Sequence, residues 1–182
     1  KDNNVVLEDG NSIAAKTVIW VSGVQAAQIG NVDKMLIGRG GRLKVDAFNR
    51  VEGLNDVFSI GDQCIMTADP NYPEGHPQLA QVAIQQARNL ATNLKAVADG
   101  RGMTPFCYRN LGTMATIGRN KAVAEIAGFK FKGLFAWLLW LVVHLRSILG
   151  VRNKVVVLLN WIWNYINYKL SLRLILNAYK RR

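Results

Sequence analysis

From Arg119 to the C-terminus the chain carries 12 Lys and Arg and a single acid, Glu125. The 118 residues before it hold 11 basic and 11 acidic side chains. The net charge of +11 therefore sits in one third of the 182 residues. The same third holds Trp137, Trp140, Trp161 and Trp163, leaving only Trp20 elsewhere. A chain-wide basic character is ruled out. What must be explained is a tail that is basic, aromatic and greasy together.

The tail from Gly128 has no run of the roughly 18–20 apolar residues that spans a bilayer. Its uncharged stretches are Gly133–Leu145 and Val155–Tyr168, the second interrupted by Asn160, Asn164 and Asn167. Leu134–Leu149 reads as a helix that is apolar nearly all round. Lys169, Arg173, Asn177 and Lys180 fall on one helical face. Asn160, Asn164, Asn167 and Ser171 face elsewhere, which predicts a bend near Tyr168. Lys and Arg attract anionic headgroups, at about 1 kcal/mol each near the surface. Trp and Tyr prefer the headgroup boundary, and apolar faces enter the acyl edge. These signals favour a monotopic anchor on membrane lipid. A hydrophobic homodimer interface is the alternative and is compatible with it. Nucleic-acid binding expects a solvated basic face with isolated aromatics, and no nucleic-acid partner is expected of so apolar a tail.

The part before the tail alternates strand and helix signals. Val5-Val6-Leu7 is a short strand ended by the hairpin signal Asp9-Gly10. Thr17–Val21 is β-branched and aromatic, which predicts a buried strand with Gly23 at its carboxyl end, where ligands of open α/β sheets bind. Leu43-Lys44-Val45 and Val57–Ile60 predict further strands, the second buried. A helix is expected from about Pro77 to Asp99, with Ala80, Ala83, Ala87, Leu90, Leu94 and Val97 as its apolar stripe and Gly100 after its end. Thr113–Ile117 and Ala122–Ala127 are short strand candidates. Cys64 and Cys107 lack metal or CxxC spacing, and His76 and His144 are far apart, so neither a metal site nor a disulfide scaffold is expected.

The sharpest local pattern is Val57-Phe58-Ser59-Ile60-Gly61-Asp62. Gly61 lets backbone approach a ligand with no Cβ in the way. An ionised Asp62 only accepts hydrogen bonds, so a row of sugar or ribityl hydroxyls suits it. A strand followed by an Asp-containing turn is the plainer alternative. Gln78, Gln81 and Gln85 form a polar stripe on the following helix. Neutral amides donate to carbonyls without adding charge to a greasy pocket, or they are a solvated face.

Val57–Asp62 resembles the second flavin-binding motif of the two-dinucleotide-binding flavoprotein oxidoreductases, and Thr17–Val24 resembles the strand that closes their NAD(P)H domain. Leu79-Ala80-Gln81-Val82-Ala83-Ile84-Gln85-Gln86 resembles the AQxxxQ helix start of the type II NADH:quinone oxidoreductases. Phe135–Trp140 with His144-Leu145, and then Arg152-Asn153-Lys154, resembles that family's membrane tail. The two narrower motifs select the family. The resemblance implies an α/β fold, the C-terminal portion of a Rossmann-like flavoprotein with two dinucleotide-binding domains and a helical amphipathic membrane-binding tail. Residues 1–30 would end the NADH-binding domain, 31–127 would belong to the FAD-binding domain, and 128–182 would form the anchor. The family's two GxGxxG units are absent, and Gly38-Arg39-Gly40-Gly41 reads as a turn, so the chain is expected to be a piece of a longer enzyme.

On this resemblance the chemistry is electron transfer from NADH through the cofactor FAD to a membrane quinone. Gly61, Asp62, Ala80, Gln81 and Gly23 are the expected cofactor residues. Gln81, Gln85, Trp140 and His144 are the expected quinone residues. His144 is otherwise a buried or interfacial histidine. Where some members carry a quinone-side lysine, this chain has Trp140, which can line an apolar path and stack on a ring. The expected location is peripheral, on the cytoplasmic face of a bacterial inner membrane. A sulfide:quinone-type flavoprotein and a non-catalytic basic membrane-anchoring module are the alternatives. Paired cysteines mark the sulfide enzymes, and Cys64 and Cys107 show no pairing signal.

Overall fold

The computed structural model describes residues 4–167 except Trp20 and Ser22. The expected bend near Tyr168 and the basic stripe Lys169, Arg173, Asn177 and Lys180 lie outside the described residues. The chain forms two compact units, Lys1–Arg109 and Asn110–Arg182.

In the first unit, β1 (Asn4–Val6) and β2 (Ser12–Ala14) make an antiparallel hairpin. Asp9 shapes its turn by accepting from both the backbone and the side chain of Asn11. Among the described residues of the expected strand, Thr17–Ile19 and Val21 are not in a strand. Val18, Ile19 and Val21 are exposed, and no ladder partner lies beside them among the described residues. A β-branched run has no reason to leave water until neighbouring strands cover it.

β3 (Leu43–Val45) pairs in parallel with β4 (Cys64–Met66). The buried strand is thus β4, rather than Val57–Ile60. Asn49 stands in the left-handed region (φ 64°), and its buried amide donates to the Ser59 carbonyl. Residues 49–59 fold back on themselves through Val51–Val57 and Ser59–Asn49 backbone bonds, so Phe58 makes only an isolated bridge with Arg50. The chain enters the core after the Gly61–Gln63 turn, where β4 is buried at every position. Val45, Val51, Cys64, Met66, Phe106 and Tyr108 form that core together with Val82 of α1 (Ala80–Ala98).

Helix α1 departs from expectation at its start and in its face. Leu79 is extended, so Pro77 and Gln78 precede the helix, and the expected three-glutamine stripe reduces to Gln81 and Gln85. The buried face is Val82, Gln86, Asn93 and Ala96. Leu94 and Val97 of the expected apolar stripe are about half exposed, at 47% and 52%. Polar side chains face inward because irregular backbone there needs hydrogen-bond partners.

In the second unit, β5 (Thr113–Gly118), β6 (Lys121–Ile126) and β7 (Phe129–Lys132) make an antiparallel meander. Sequence reasoning assigned β7 to the anchor, although Phe129-Lys130-Phe131-Lys132 alternates as a strand should. Ala127 and Gly128 both have positive φ, as a tight two-residue hairpin turn requires. Helix α2 (Gly133–Ser147) covers the sheet with fully buried Ala136 against Ala122 and Ala124, and α3 (Val151–Asn167) follows.

Gly112 leads into β5 with φ +102°, and a Cβ there would run into the Glu125 carbonyl oxygen. Gly112→Ala in the full-length protein is therefore expected to cost about 2–4 kcal/mol. Urea unfolding followed by tryptophan fluorescence, which reports on this tryptophan-rich unit, checks it. An unchanged midpoint would mean the turn relaxes freely.

Candidate functional site

The Gly61–Gln63 turn stands at the head of α1. Gly61 has φ +66°, and a Cβ on it would lie 3.0 Å from the Ala83 Cβ. Its N–H donates to Gln86 Oε1 at 2.7 Å. The same oxygen lies 3.6 Å from Cys64 Sγ, which in turn is 3.4 Å from the Gly61 carbonyl. Burial pushes the Cys64 thiol up, against hydrogen bonding from Gln86, so the group is a neutral donor rather than a thiolate.

Asp62 is exposed, and its carboxylate has no hydrogen-bond partner among the described residues. Its carbonyl accepts from Gln78 Nε2 at 3.2 Å. Leu79 provides no side-chain cap, so α1 opens with its N–H end uncapped by a side chain and its first turn built from small Ala80 and Ala83. Side by side stand a free carboxylate, a glycine pressed on a helix and a helix end of positive polarity. Gly23, by contrast, lies in an exposed, non-strand segment (φ +87°) with nothing within 4 Å of where its Cβ would be.

Behind this turn lies a buried cluster that the sequence did not announce. Asp69 Oδ2 is 3.0 Å from His76 Nε2 and accepts from the Tyr108 N–H at 3.1 Å, while Oδ1 accepts from the Asn71 N–H. Tyr72, Phe106 and Tyr108 pack their rings around the imidazole. Arg42 Nη1 donates to the His76 carbonyl at 3.0 Å. Burial raises the Asp69 carboxyl, but bonds from His76, Tyr108 and Asn71 outweigh it, and the group sits below its ordinary value of 3.8. This cluster fixes the segment that runs into α1.

In the second unit, Trp137, Trp140, Leu141 and Leu145 of α2 and Leu158, Trp161 and Tyr165 of α3 line an open groove of about 860 Å³. Its few polar groups include Thr116, Arg119 and Asn164. The Arg119 guanidinium lies 4.0 Å above the Tyr165 ring and donates to its carbonyl at 2.6 Å. Trp140 therefore faces the groove, as a ring-stacking residue must. His144 does not line it. Its ring stacks on Trp140 at 4.0 Å and its Nδ1 is 2.8 Å from the Trp140 carbonyl.

Two family matches divide the chain much as the structure does. Residues 1–87 match the pyridine nucleotide-disulphide oxidoreductases, and residues 110–168 match the NDH2 C-terminal domain. The type II NADH:quinone oxidoreductase Ndh of Mycobacterium tuberculosis is 32% identical over 91% of this chain and 36% of its own length. NdhA of the same organism is 38% identical over 79% of this chain and 31% of its own length. This chain belongs to the type II NADH:quinone oxidoreductase family. The mitochondrial internal alternative NAD(P)H-ubiquinone oxidoreductase A1 of Solanum tuberosum is 33% identical over 88% of the chain and 35% of the relative. The solved NDH2 of Plasmodium falciparum in complex with NADH shares the fold, with a TM-score of 0.66 at 18% identity over 85% of this chain and 46% of that one. The chain thus spans about one third of the length of the curated relatives it matches.

Of the residues expected from sequence, the structure brings Gly61, Asp62, Ala80 and Gln81 together at the head of α1 and leaves Gly23 apart. Gln81 is half-buried on the first turn. Gln85 gives both ends of its amide to the backbone of Arg109. Gln86 and the Asp69–His76 pair were missed. Gln86 was legible in principle, since it stands four residues after Val82 on the face that Asn93 and Ala96 continue.

Asp69→Asn is expected to lower stability of the full-length protein at neutral pH by about 2–3 kcal/mol, through loss of charge-assisted hydrogen bonds. The folded carboxyl is depressed, so its contribution is present above 3.8 and lost as pH falls through the lower folded value. Urea midpoints measured at a series of acid pH values should show a shallower acid loss for the variant than for the wild type. Parallel acid limbs would remove Asp69 from the account.

Proposed function

We propose that this chain is the C-terminal part of an FAD-dependent enzyme that oxidises NADH and reduces a membrane quinone. The observation that carries the proposal is the head of α1, where Gln86 holds Gly61 against Ala83 and leaves the Asp62 carboxylate open to solvent. A flavin fits that donor set. Its ribityl chain offers hydroxyl donors to an acceptor-only carboxylate, and the uncapped helix end favours an anionic ring. Neither Gly61 nor the alanines of the first turn present bulk to exclude it. The relatives' names supply the substrates, NADH and quinone.

The bound flavin supplies the redox chemistry; the residues of this chain bind, orient and polarise. Asp62 holds the sugar-like chain. The first turn of α1 sets the electrostatics of the ring. Gln81 offers a neutral amide toward the quinone, with Gln85 one turn behind it. Within the second unit, Trp140 lines the apolar groove, and the His144 ring stacks on its indole.

The tail is read as a peripheral anchor on the anionic cytoplasmic leaflet of a bacterial inner membrane. No helix among the described residues is long and apolar enough to cross a membrane. On α2 and α3, Leu134, Phe135, Val142, Leu159, Trp163 and Ile166 stand exposed, which suits insertion into the acyl edge or a homodimer contact.

In the full-length protein, Asp62→Ala is expected to weaken FAD binding by about 1.5–3 kcal/mol, the value of a hydrogen bond to a charged group. Equilibrium dialysis of FAD checks this, and unchanged affinity would take Asp62 out of the site. Bleaching of the flavin by NADH and not by sulfide separates this activity from the sulfide:quinone alternative. A full-length protein that binds no flavin would leave the anchoring-module reading standing.

Neutralising Lys169, Arg173 and Lys180 together is expected to lower binding to anionic vesicles, and added salt to produce a similar loss in the wild type. Co-sedimentation with vesicles measures both. Normal vesicle binding by the triple variant, with a changed oligomeric state, would favour the dimer interface instead.

A further inference from the structure

The segment 104–109 belongs to no helix and no sheet. Several of its backbone groups bond instead to side chains and to a loop carbonyl. Asn93 of α1 donates to the Thr104 carbonyl at 2.9 Å and accepts from the Thr104 N–H at 2.9 Å and its hydroxyl at 3.0 Å. Gln85 repeats the pattern two turns earlier, donating to the Arg109 carbonyl at 2.9 Å and accepting from the Arg109 N–H at 3.1 Å. Between them Asn89 accepts from Asn93 Nδ2 at 3.1 Å and points its own amide at the Thr104 carbonyl. The Phe106 and Tyr108 N–H groups go to Ala47 and Asp69.

Residues 85, 89 and 93 are spaced by four, so they share one helix face. A primary amide carries the same donor and acceptor pair as a peptide group. Two of the three make a two-point contact of the kind one strand makes with its neighbour. Helix α1 therefore offers this segment a substitute for a strand edge, running antiparallel to it. All the groups are neutral, and Asn93 is fully buried.

We infer that Gln85, Asn89 and Asn93 form an amide clasp that positions residues 104–109 on α1, and that Gln85 governs the quinone half-reaction through this clasp rather than by touching the quinone. The inference rests on the function proposed above. Both hydrogen-bonding ends of Gln85 are engaged with Arg109, which leaves its amide poorly placed to serve a ligand. Asn93 lies about 12 Å further along the helix, at 1.5 Å per residue. It is too far from Gln85 to touch the same small ligand, yet it holds the same segment. Gln85, Asn89 and Asn93 are positioning residues, and Asn93 is the anchor of the set.

The test uses the flavin-loaded full-length enzyme with Gln85→Glu, Asn93→Asp and, because Asn93 is buried, the milder Asn89→Asp. Each replaces an N–H donor by a carboxylate oxygen that faces a backbone carbonyl. Gln85→Glu and Asn93→Asp are both expected to raise the quinone KM by about three- to tenfold, the penalty of a small misplacement. For Asn93→Asp and Asn89→Asp kcat should stay within about twofold, giving a KM-against-kcat split. Lowering the pH should bring each variant back toward the wild type measured at the same pH, because a protonated carboxyl regains one donor. Hydrogen exchange of residues 104–109 should be faster in all three. A raised KM in Gln85→Glu alone, with Asn93→Asp and Asn89→Asp normal, would overturn the clasp in favour of direct contact. Unchanged exchange of 104–109 would overturn it as well. Exchange does not depend on activity, so faster exchange in an enzyme that reduces no quinone would fail the proposed function and leave the clasp standing.

Discussion

The hydrogen bond from the Gly61 backbone to Gln86 joins the two elements on which the first unit depends. On one side is a turn that delivers Asp62 to solvent and sends the chain into buried β4. On the other is the helix whose first turn faces that aspartate. The acceptor is a neutral amide oxygen buried at the turn, so losing it would leave the Gly61 N–H unsatisfied, at a cost of about 1–3 kcal/mol. The Cys64 thiol shares the same oxygen and the Gly61 carbonyl, and burial keeps it protonated. Glycine is required at the turn twice over, by its positive φ and by the nearness of Ala83. The exposed aspartate thus rests on a buried support made of three neutral groups.

How far this could be read from the sequence depended on whether the determinant was local. The Asp9-Gly10 hairpin, β3, β5 and α2 follow from turn chemistry and short-range periodicity, and they were legible. Gly61-Asp62 was legible as a motif. Thr17–Val21 carries a strand signal, but a strand's burial belongs to its neighbours, and none stands beside it among the described residues. The face of α1 misled because periodicity arguments count apolar residues. Here the inward face carries Gln86 and Asn93, chosen by the unpaired backbone of a turn 25 residues earlier and of the irregular segment at Thr104, 11 residues later. Periodicity counts apolar residues and gives no weight to such polar partners. The Asp69–His76 pair was hidden as well, since its surroundings come from residues 42, 72, 106 and 108.

The second unit follows a different logic. Its sheet and α2 meet through three alanines, Ala122, Ala124 and Ala136, which bring backbone close to backbone with little side-chain volume. Large apolar and aromatic groups are displaced outward onto α2 and α3 instead of filling a core. This inverts the usual distribution, and it explains why the tail looked too greasy for a solvated helix and too short for a span. In the groove between α2 and α3 several of these rings converge, with Arg119 laid over Tyr165 at its polar side.

The neutrality of the contacts along α1 has an electrical consequence. Ion pairs weaken as mobile ions gather around them, and a strongly charged surface draws counterions to itself. Amide-to-backbone bonds have no net charge to screen. A protein with a basic tail held against a field of phosphates would experience steep local changes in ion concentration as it associates and departs. The joint between α1 and residues 104–109, and the support beneath Gly61, would keep the same geometry through those changes. Within one chain, the concentrated positive charge and the contacts that set distances along α1 are built from different chemistry.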